Sequence, residues 1–219
     1  HATVFIRNDI YQHLLLTTPD KGKDTAVLLD WNDPDAFKEV VRRRITTSLG
    51  ENRTFDEVWS TFFPPQVRGQ TAFEYVLRRT LMRPRDLLRF LRQSISVAIN
   101  RGHQKVSSDD ILQAEKTYSE DQLQEVAFEL RDVDSKFPDA PYAFIGKPSV
   151  LGRHQVDQCL TEANIPVGEV SRVVDLLLWF GFLGLSGEDE HYSFGYQCGV
   201  ERMRRAAGPS CKYVIHPAF

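Results

Sequence analysis

Cysteine is scarce in this chain and its spacing is uninformative. Cys159, Cys198 and Cys211 are odd in number and form no C-x-x-C pair, which argues against a disulfide framework and predicts reduced thiols. The six histidines are scattered without ligand spacing, so no metal site is predicted. No apolar run approaches the roughly 20 residues that a membrane span needs, and no charged-then-apolar leader opens the chain; a soluble, cytoplasmic protein with no membrane partner is expected. A phosphate-binding loop is missing too. The nearest stretch, Gly146-Lys147-Pro148-Ser149, has Pro141 in place of the first glycine and Pro148 in place of the Ser or Thr. Nor is there a Ser/His/Asp order or a paired-carboxylate pattern, so the chain by itself is predicted not to be a catalyst.

What is present is enough hydrophobic material for two small cores: 42% of 219 residues. Net charge is −3, unevenly spread. Residues 1–105 hold 17 Lys and Arg against 12 Asp and Glu, whereas residues 106–219 hold 10 against 18. An acidic C-terminal half repels nucleic acid unless a local basic surface overrides it.

The most structured and most basic stretch is Arg78 to Gly102. Pro84, at a first helical turn where its missing N–H costs nothing, opens a helix that ends near Gly102. Leu87, Leu88, Leu91, Ile95, Ala98 and Ile99 fall on one face, and Arg85, Arg89, Arg92 and Ser96 line up beside it. Such arginines suit an anionic group, because the planar guanidinium pairs bidentately with phosphate oxygens, or they form a solvated face.

The rest of the chain reads as support for that helix. Thr3 to Arg7 and Thr25 to Leu29 read as short strands, and two strands seldom make a stable sheet alone, so the chain is expected to be part of something larger. Asp33-Pro34 caps a helix reaching about Leu49, with Ala36, Phe37, Val40, Val41 and Ile45 inward and Arg42 to Arg44 largely on the other side. Short helices follow from Thr54 and over Gln70 to Leu81. Ser107 and Ser108 cap another, with Asp109 and Asp110 against its dipole, and Ser119-x-x-Gln122 reads as a capping box for the next. The proline-rich stretch Asp134 to Pro148 is the predicted boundary between two packing units. Beyond it come a helix over His154 to Asn164, a turn, and a helix stopping at Gly181. A strand over Phe182 to Leu185, a returning strand with Tyr192, Phe194 and Tyr196 alternating, and a last strand over Tyr213 to Ile215 follow. Helix, turn, helix and a small sheet make a winged-helix topology. Its second helix carries Glu169, Arg172 and Asp175, and its wing turn Glu188, Asp189 and Glu190. A DNA-binding surface should be basic there, so nucleic acid is disfavoured as a partner. Arg202, Arg204 and Arg205 read as a solvated basic run in a loop.

Several segments together carry a resemblance. They are Arg7-Asn8-Asp9-Ile10-Tyr11 after a strand, and Leu29-Asp30-Trp31 before a helix ending Arg43-Arg44-Ile45. To these add Arg79-Thr80-x-x-Arg83-Pro84-Arg85-Asp86, Gly181-Phe182-Leu183-Gly184 and Ile215-His216-Pro217-Ala218-Phe219. The chain resembles the C-terminal part of a family of bacterial P-loop ATPases similar to the STAND and KAP branches related to AAA+ proteins. The Walker A and Walker B parts of that family are absent here. The resemblance implies a mainly α chain. Residues 1–32 would be the last strands of an α/β nucleotide-binding core, 33–135 a helical lid-type bundle, and 136–219 a winged-helix domain with a small antiparallel sheet. It implies ATP or ADP as ligand, with Mg supplied by the missing N-terminal NTPase core. Arg7 would match a sensor arginine, Pro84 the proline that packs on adenine, Arg83 or Arg85 the second-sensor arginine of the lid, and His216 a histidine on the β-phosphate. Pro217 departs from the family, which has Asp there. The function implied is nucleotide-dependent switching, in a homo-oligomer or with a protein partner on the winged helix. The alternatives are a winged-helix protein-interaction adaptor and a DNA-binding regulator.

Overall fold

A computed structural model describes Val4, Val27 and residues 31–186, 192–206 and 211–219. Of the chain's two units, His1–Asp30 and Trp31–Phe219, the second holds every element named here. Val4 and Val27, inside the expected strands over residues 3–7 and 25–29, are exposed and belong to no strand; the other residues of those two stretches, Arg7 among them, and the acidic turn at 188–190 lie outside the described residues.

The described chain is mainly helical, with two small antiparallel sheets. Helix α1 (Pro34–Leu49) starts where Asp33 accepts a hydrogen bond from the Asp35 N–H and stops at Gly50 in the left-handed region. Helix α2 (Phe55–Phe62) opens on a capping box between Thr54 and Glu57. The expected helix over Gln70 to Leu81 is shorter. Strands β1 (Gln66–Val67) and β2 (Gln70–Thr71) form a hairpin around Arg68 and Gly69, both at positive φ, and α3 covers only Ala72–Leu77.

Helix α4 (Pro84–Asn100) begins where Pro84 predicts. Its buried stripe, however, is rotated from the expected one. Asp86, Leu87, Phe90, Leu91, Ser94 and Ala98 are buried, while Ile95 and Ile99 are 37% and 67% exposed. Phe90 stacks on Tyr118 of the next helix, ring centroids 4.4 Å apart, and that contact turns the helix.

Helix α5 runs unbroken over Ser108–Val133. The expected second start at Ser119 is absent, because no glycine or proline interrupts residues 108–133 and an N-cap needs an extended residue there. At about 1.5 Å per residue this helix is about 39 Å long. It serves two cores in turn. Ile111, Ala114 and Tyr118 pack with Phe37, Trp59 and Phe90, whereas Val126 and Leu130 pack with Phe144, Leu160 and Leu177.

A 3-10 turn (Ala140–Phe144) buries Ala140, Pro141 and Phe144 within the stretch expected to be a boundary. Strand β3 (Val150–Gly152), unforeseen from the sequence, leads into α6 (Arg153–Glu162), a turn, and α7 (Val167–Trp179). Strands β4 (Leu183–Ser186), β5 (Tyr192–Ser193) and β6 (Lys212–Ile215) complete an antiparallel sheet in the order β3-β6-β4-β5, with Leu151 opposite Tyr213 and Leu183 opposite Ile215. The returning strand ends sooner than the alternation of Tyr192, Phe194 and Tyr196 suggests. Phe194 becomes the N-cap of the helical turn α8 (Gly195–Cys198), whose Gly195 leaves no room for a Cβ beside the Leu178 carbonyl. The basic run 202–205 belongs to helix α9 (Val200–Ala206), not a loop.

Candidate functional site

The seam between α4 and α5 consumes much of the positive charge that the sequence offers. Arg83, extended as the N-cap of α4, donates to both oxygens of Glu129 at 2.7 and 3.1 Å. One turn and a half later Arg89 grips both oxygens of Glu125, and Gln93 donates to Asp121 at 2.7 Å. Glu129, Glu125 and Asp121 stand four residues apart on α5, so one face of that helix receives three successive donors from α4. Asp86 lies wholly buried below them. Burial pushes its carboxyl above the usual range despite the neighbouring Arg83, Arg89 and Arg85.

Arg85 is the member of this group that faces outward. Its side chain is 71% exposed, 3.4 Å from Glu125 and 3.8 Å from Asp86. With Arg89, Arg92 and Arg44 it lines a groove of about 640 Å³ between α1 and α4, floored by Leu88, Leu91 and Ile95. A second cavity of about 290 Å³ shares Arg44, Ile45, Phe63 and Ile95 and continues the groove past Leu49, Ile99 and Lys105. Among the described residues Glu125 is the only acidic one lining either cavity, and it is bound to Arg89. Among the described residues the guanidinium groups of Arg44 and Arg92 meet no hydrogen-bond or ion-pair partner. Arg44 was expected on the far side of α1. It lies seven residues after Phe37 and three after Val41, which puts it beside the inward stripe, and that spacing was the signal available.

His216 is placed elsewhere. It is 1% exposed and lines a different cavity, of about 510 Å³, with Ser119, Phe182 and Phe219. Its Nδ1 accepts the Ala218 N–H at 3.0 Å, so the neutral ring carries its proton on Nε2, 2.9 Å from the Tyr196 hydroxyl. Burial, with the Arg79 charge second, pulls its pKa down to about 3. Both ring nitrogens are thus engaged inside the chain. Of the five residues that the resemblance singles out, Arg7 is outside the described residues, Pro84 and Arg83 start α4, Arg85 faces the groove, and His216 is buried in another cavity.

The α6, turn, α7 region carries no free basic face. Arg172 of α7 pairs with Asp134 at 3.0 Å and lies 3.6 Å from Glu169, Asp175 pairs with Arg204 at 2.8 Å, and Arg153 donates to Tyr213 and Ser171. Those cations are used to hold the fold.

Residues 35–127 match the model of a family described as the FunZ-associated C-terminal helical domain. That span takes in α1 to α4 and most of α5, and so the whole basic groove. The chain is also similar to the 80.3 kDa protein of transposon gamma-delta from Escherichia coli (strain K12), 23% identical over an alignment covering 99% of this chain. The chain spans about one third of that relative's length, 33%. No solved structure matches.

Proposed function

We propose that this chain is the C-terminal regulatory portion of a larger P-loop ATPase, in which Arg85 reaches a nucleotide held by the preceding core. The observation that carries the reading is the outward guanidinium of Arg85 in the first turn of α4, beside the unpaired Arg92 and Arg44. Arg85 makes one long bond, 3.4 Å, to Glu125, and phosphate oxygens would offer it a bidentate, charge-assisted pair instead. Support also comes from the match to a domain described as C-terminal and helical. In this reading α1 to α5 act as the lid, and α6, α7 and the sheet β3-β6-β4-β5 form a winged helix that faces a protein rather than DNA, because the arginines of its two helices are paired within the chain. Helix α5, shared by both cores, then transmits the docking of one to the other.

The test uses the intact protein. Arg85→Ala is expected to weaken ATP or ADP binding about tenfold, equivalent to roughly 1.4 kcal/mol, with the thermal unfolding of the chain unchanged. Unaltered nucleotide affinity and hydrolysis would remove Arg85 from the site. The second reading, a winged-helix adaptor for a protein partner, rests on the same internally paired α7 and gains if the intact protein binds no nucleotide.

A further inference from the structure

The apolar end of the groove is not explained by a nucleotide. We propose that the groove between α1 and α4 is the docking site for an acidic amphipathic helix of a protein partner. The proposal shares Arg44 and Arg92 with the nucleotide reading, but it rests on the aliphatic side chains at the far end of the groove and not on Arg85.

Four aliphatic side chains carry it. Ile45 and Leu49 on α1, and Ile95 and Ile99 on α4, each repeat at i and i+4 and line the two joined cavities. Leu49, Ile95 and Ile99 are 43%, 37% and 67% exposed. Single exposed aliphatics are ordinary, whereas a lined groove of them is the usual seat for the apolar face of a helix. The rim defines the charge of that helix. Arg44 and Arg92 have no acidic partner, and Lys105 donates at 2.7 Å to the neutral carbonyl of Ser60, which leaves its charge uncompensated. With Glu125 held by Arg89, the groove is positive throughout, and a ligand carrying Glu or Asp beside its apolar stripe complements it. Nucleic acid fits less well. Bases bind single-stranded sites by stacking on exposed aromatic faces, and here Phe63 is fully buried, Phe62 is only partly exposed, and the most exposed side chains of the groove are aliphatic.

The test is fluorescence anisotropy with the full 219-residue chain and a labelled peptide of about 16 residues, roughly four turns, with Leu at i, i+3, i+4 and i+7 and Glu on both flanks. Micromolar binding is expected, weakened about tenfold or more by Ile99→Glu and by Arg92→Glu, two exposed positions whose variants should keep the parent melting temperature. A third variant, Leu49→Glu on α1, guards against an effect peculiar to α4. The proposal is overturned if the peptide does not bind, or if the same peptide with Ser for Leu, or a short DNA duplex, binds as tightly. It is also overturned if Ile99→Glu and Leu49→Glu change nothing. Sedimentation that shows a dimer dissociated by Ile99→Glu would make the occupant a second copy of this chain and overturn it equally.

Discussion

Replacing Asp110 by alanine tests how the connection between the two longest helices is held. Asp110 is fully buried and accepts from the Ser107 N–H at 2.9 Å, the Ser107 hydroxyl at 2.7 Å, His103 Nδ1 at 2.8 Å and Arg101 Nη1 at 2.8 Å. It is therefore both the third residue of the α5 capping box and the anchor of the α4–α5 loop. Loss of the cap costs about 1 kcal/mol. Each of the two charge-assisted bonds contributes about 1.5 kcal/mol, discounted to about 1 kcal/mol because Arg101 and His103 are 46% and 39% exposed and regain water. The sum is about 3 kcal/mol, which for a chain of this size lowers Tm by roughly 6–12 °C. Urea unfolding followed by circular dichroism is the assay, with an unchanged slope expected. Asp110→Asn, which keeps the acceptor oxygen but not the charge, should lose about half as much. The pH dependence follows from the same geometry. Burial pushes the carboxyl up, but the bonds from His103, Ser107 and Arg101 outweigh it and hold the pKa at about 2, below the ordinary 3.8. A depressed carboxylate stabilises the fold above about pH 4 and loses that contribution as pH falls towards 2. The Asp110→Ala variant should therefore show a shallower loss of stability across that window. A destabilisation under about 1 kcal/mol, within the cap contribution alone, would refute the view of Asp110 as the anchor of the loop.

Two further outcomes follow from packing and burial. In Gly184→Ala the new Cβ would meet the Phe194 ring at 2.7 and 2.8 Å and the Ser193 carbonyl at 2.9 Å, so a loss of about 1–3 kcal/mol is expected. Gly168→Ala, with nothing within 4 Å and a place in the first turn of α7, should instead gain about 0.5 kcal/mol; equal melting curves for the two variants would contradict the packing of β4 against Phe194. His216, kept neutral with a pKa near 3, gains no proton in the folded state where the unfolded chain gains one below about 6.5. Stability should therefore fall as pH drops from 6.5, by about 2 kcal/mol at about pH 5, and His216→Gln should remove that slope. A slope unchanged in His216→Gln would show that the histidine takes up protons in the fold.

The sequence by itself determined where four of the described helices begin and that the described chain is mainly helical, because those signals are local. Asp33-Pro34, Thr54 with Glu57, Pro84, and Ser107 with Asp110 each act within one turn, and the structure starts a helix at all four. The last strand was legible for the same reason, from a short apolar run next to a turn. Only the tertiary structure decided which residues of a periodic stripe are covered. Leu87 and Ile99 share a face by spacing, yet one is buried and the other two thirds exposed, because coverage depends on where Tyr118 and α1 end up. The arginines follow the same rule. Arg83 and Glu129 are 46 residues apart in the chain, so no local pattern announces that their charges cancel, while Arg44 and Arg92, similar in spacing, are left open to the groove. His216 reads in the sequence as a strand end before a proline; burial behind Phe194 and Tyr196 set its protonation, since desolvation is a property of the packed molecule and not of the residue.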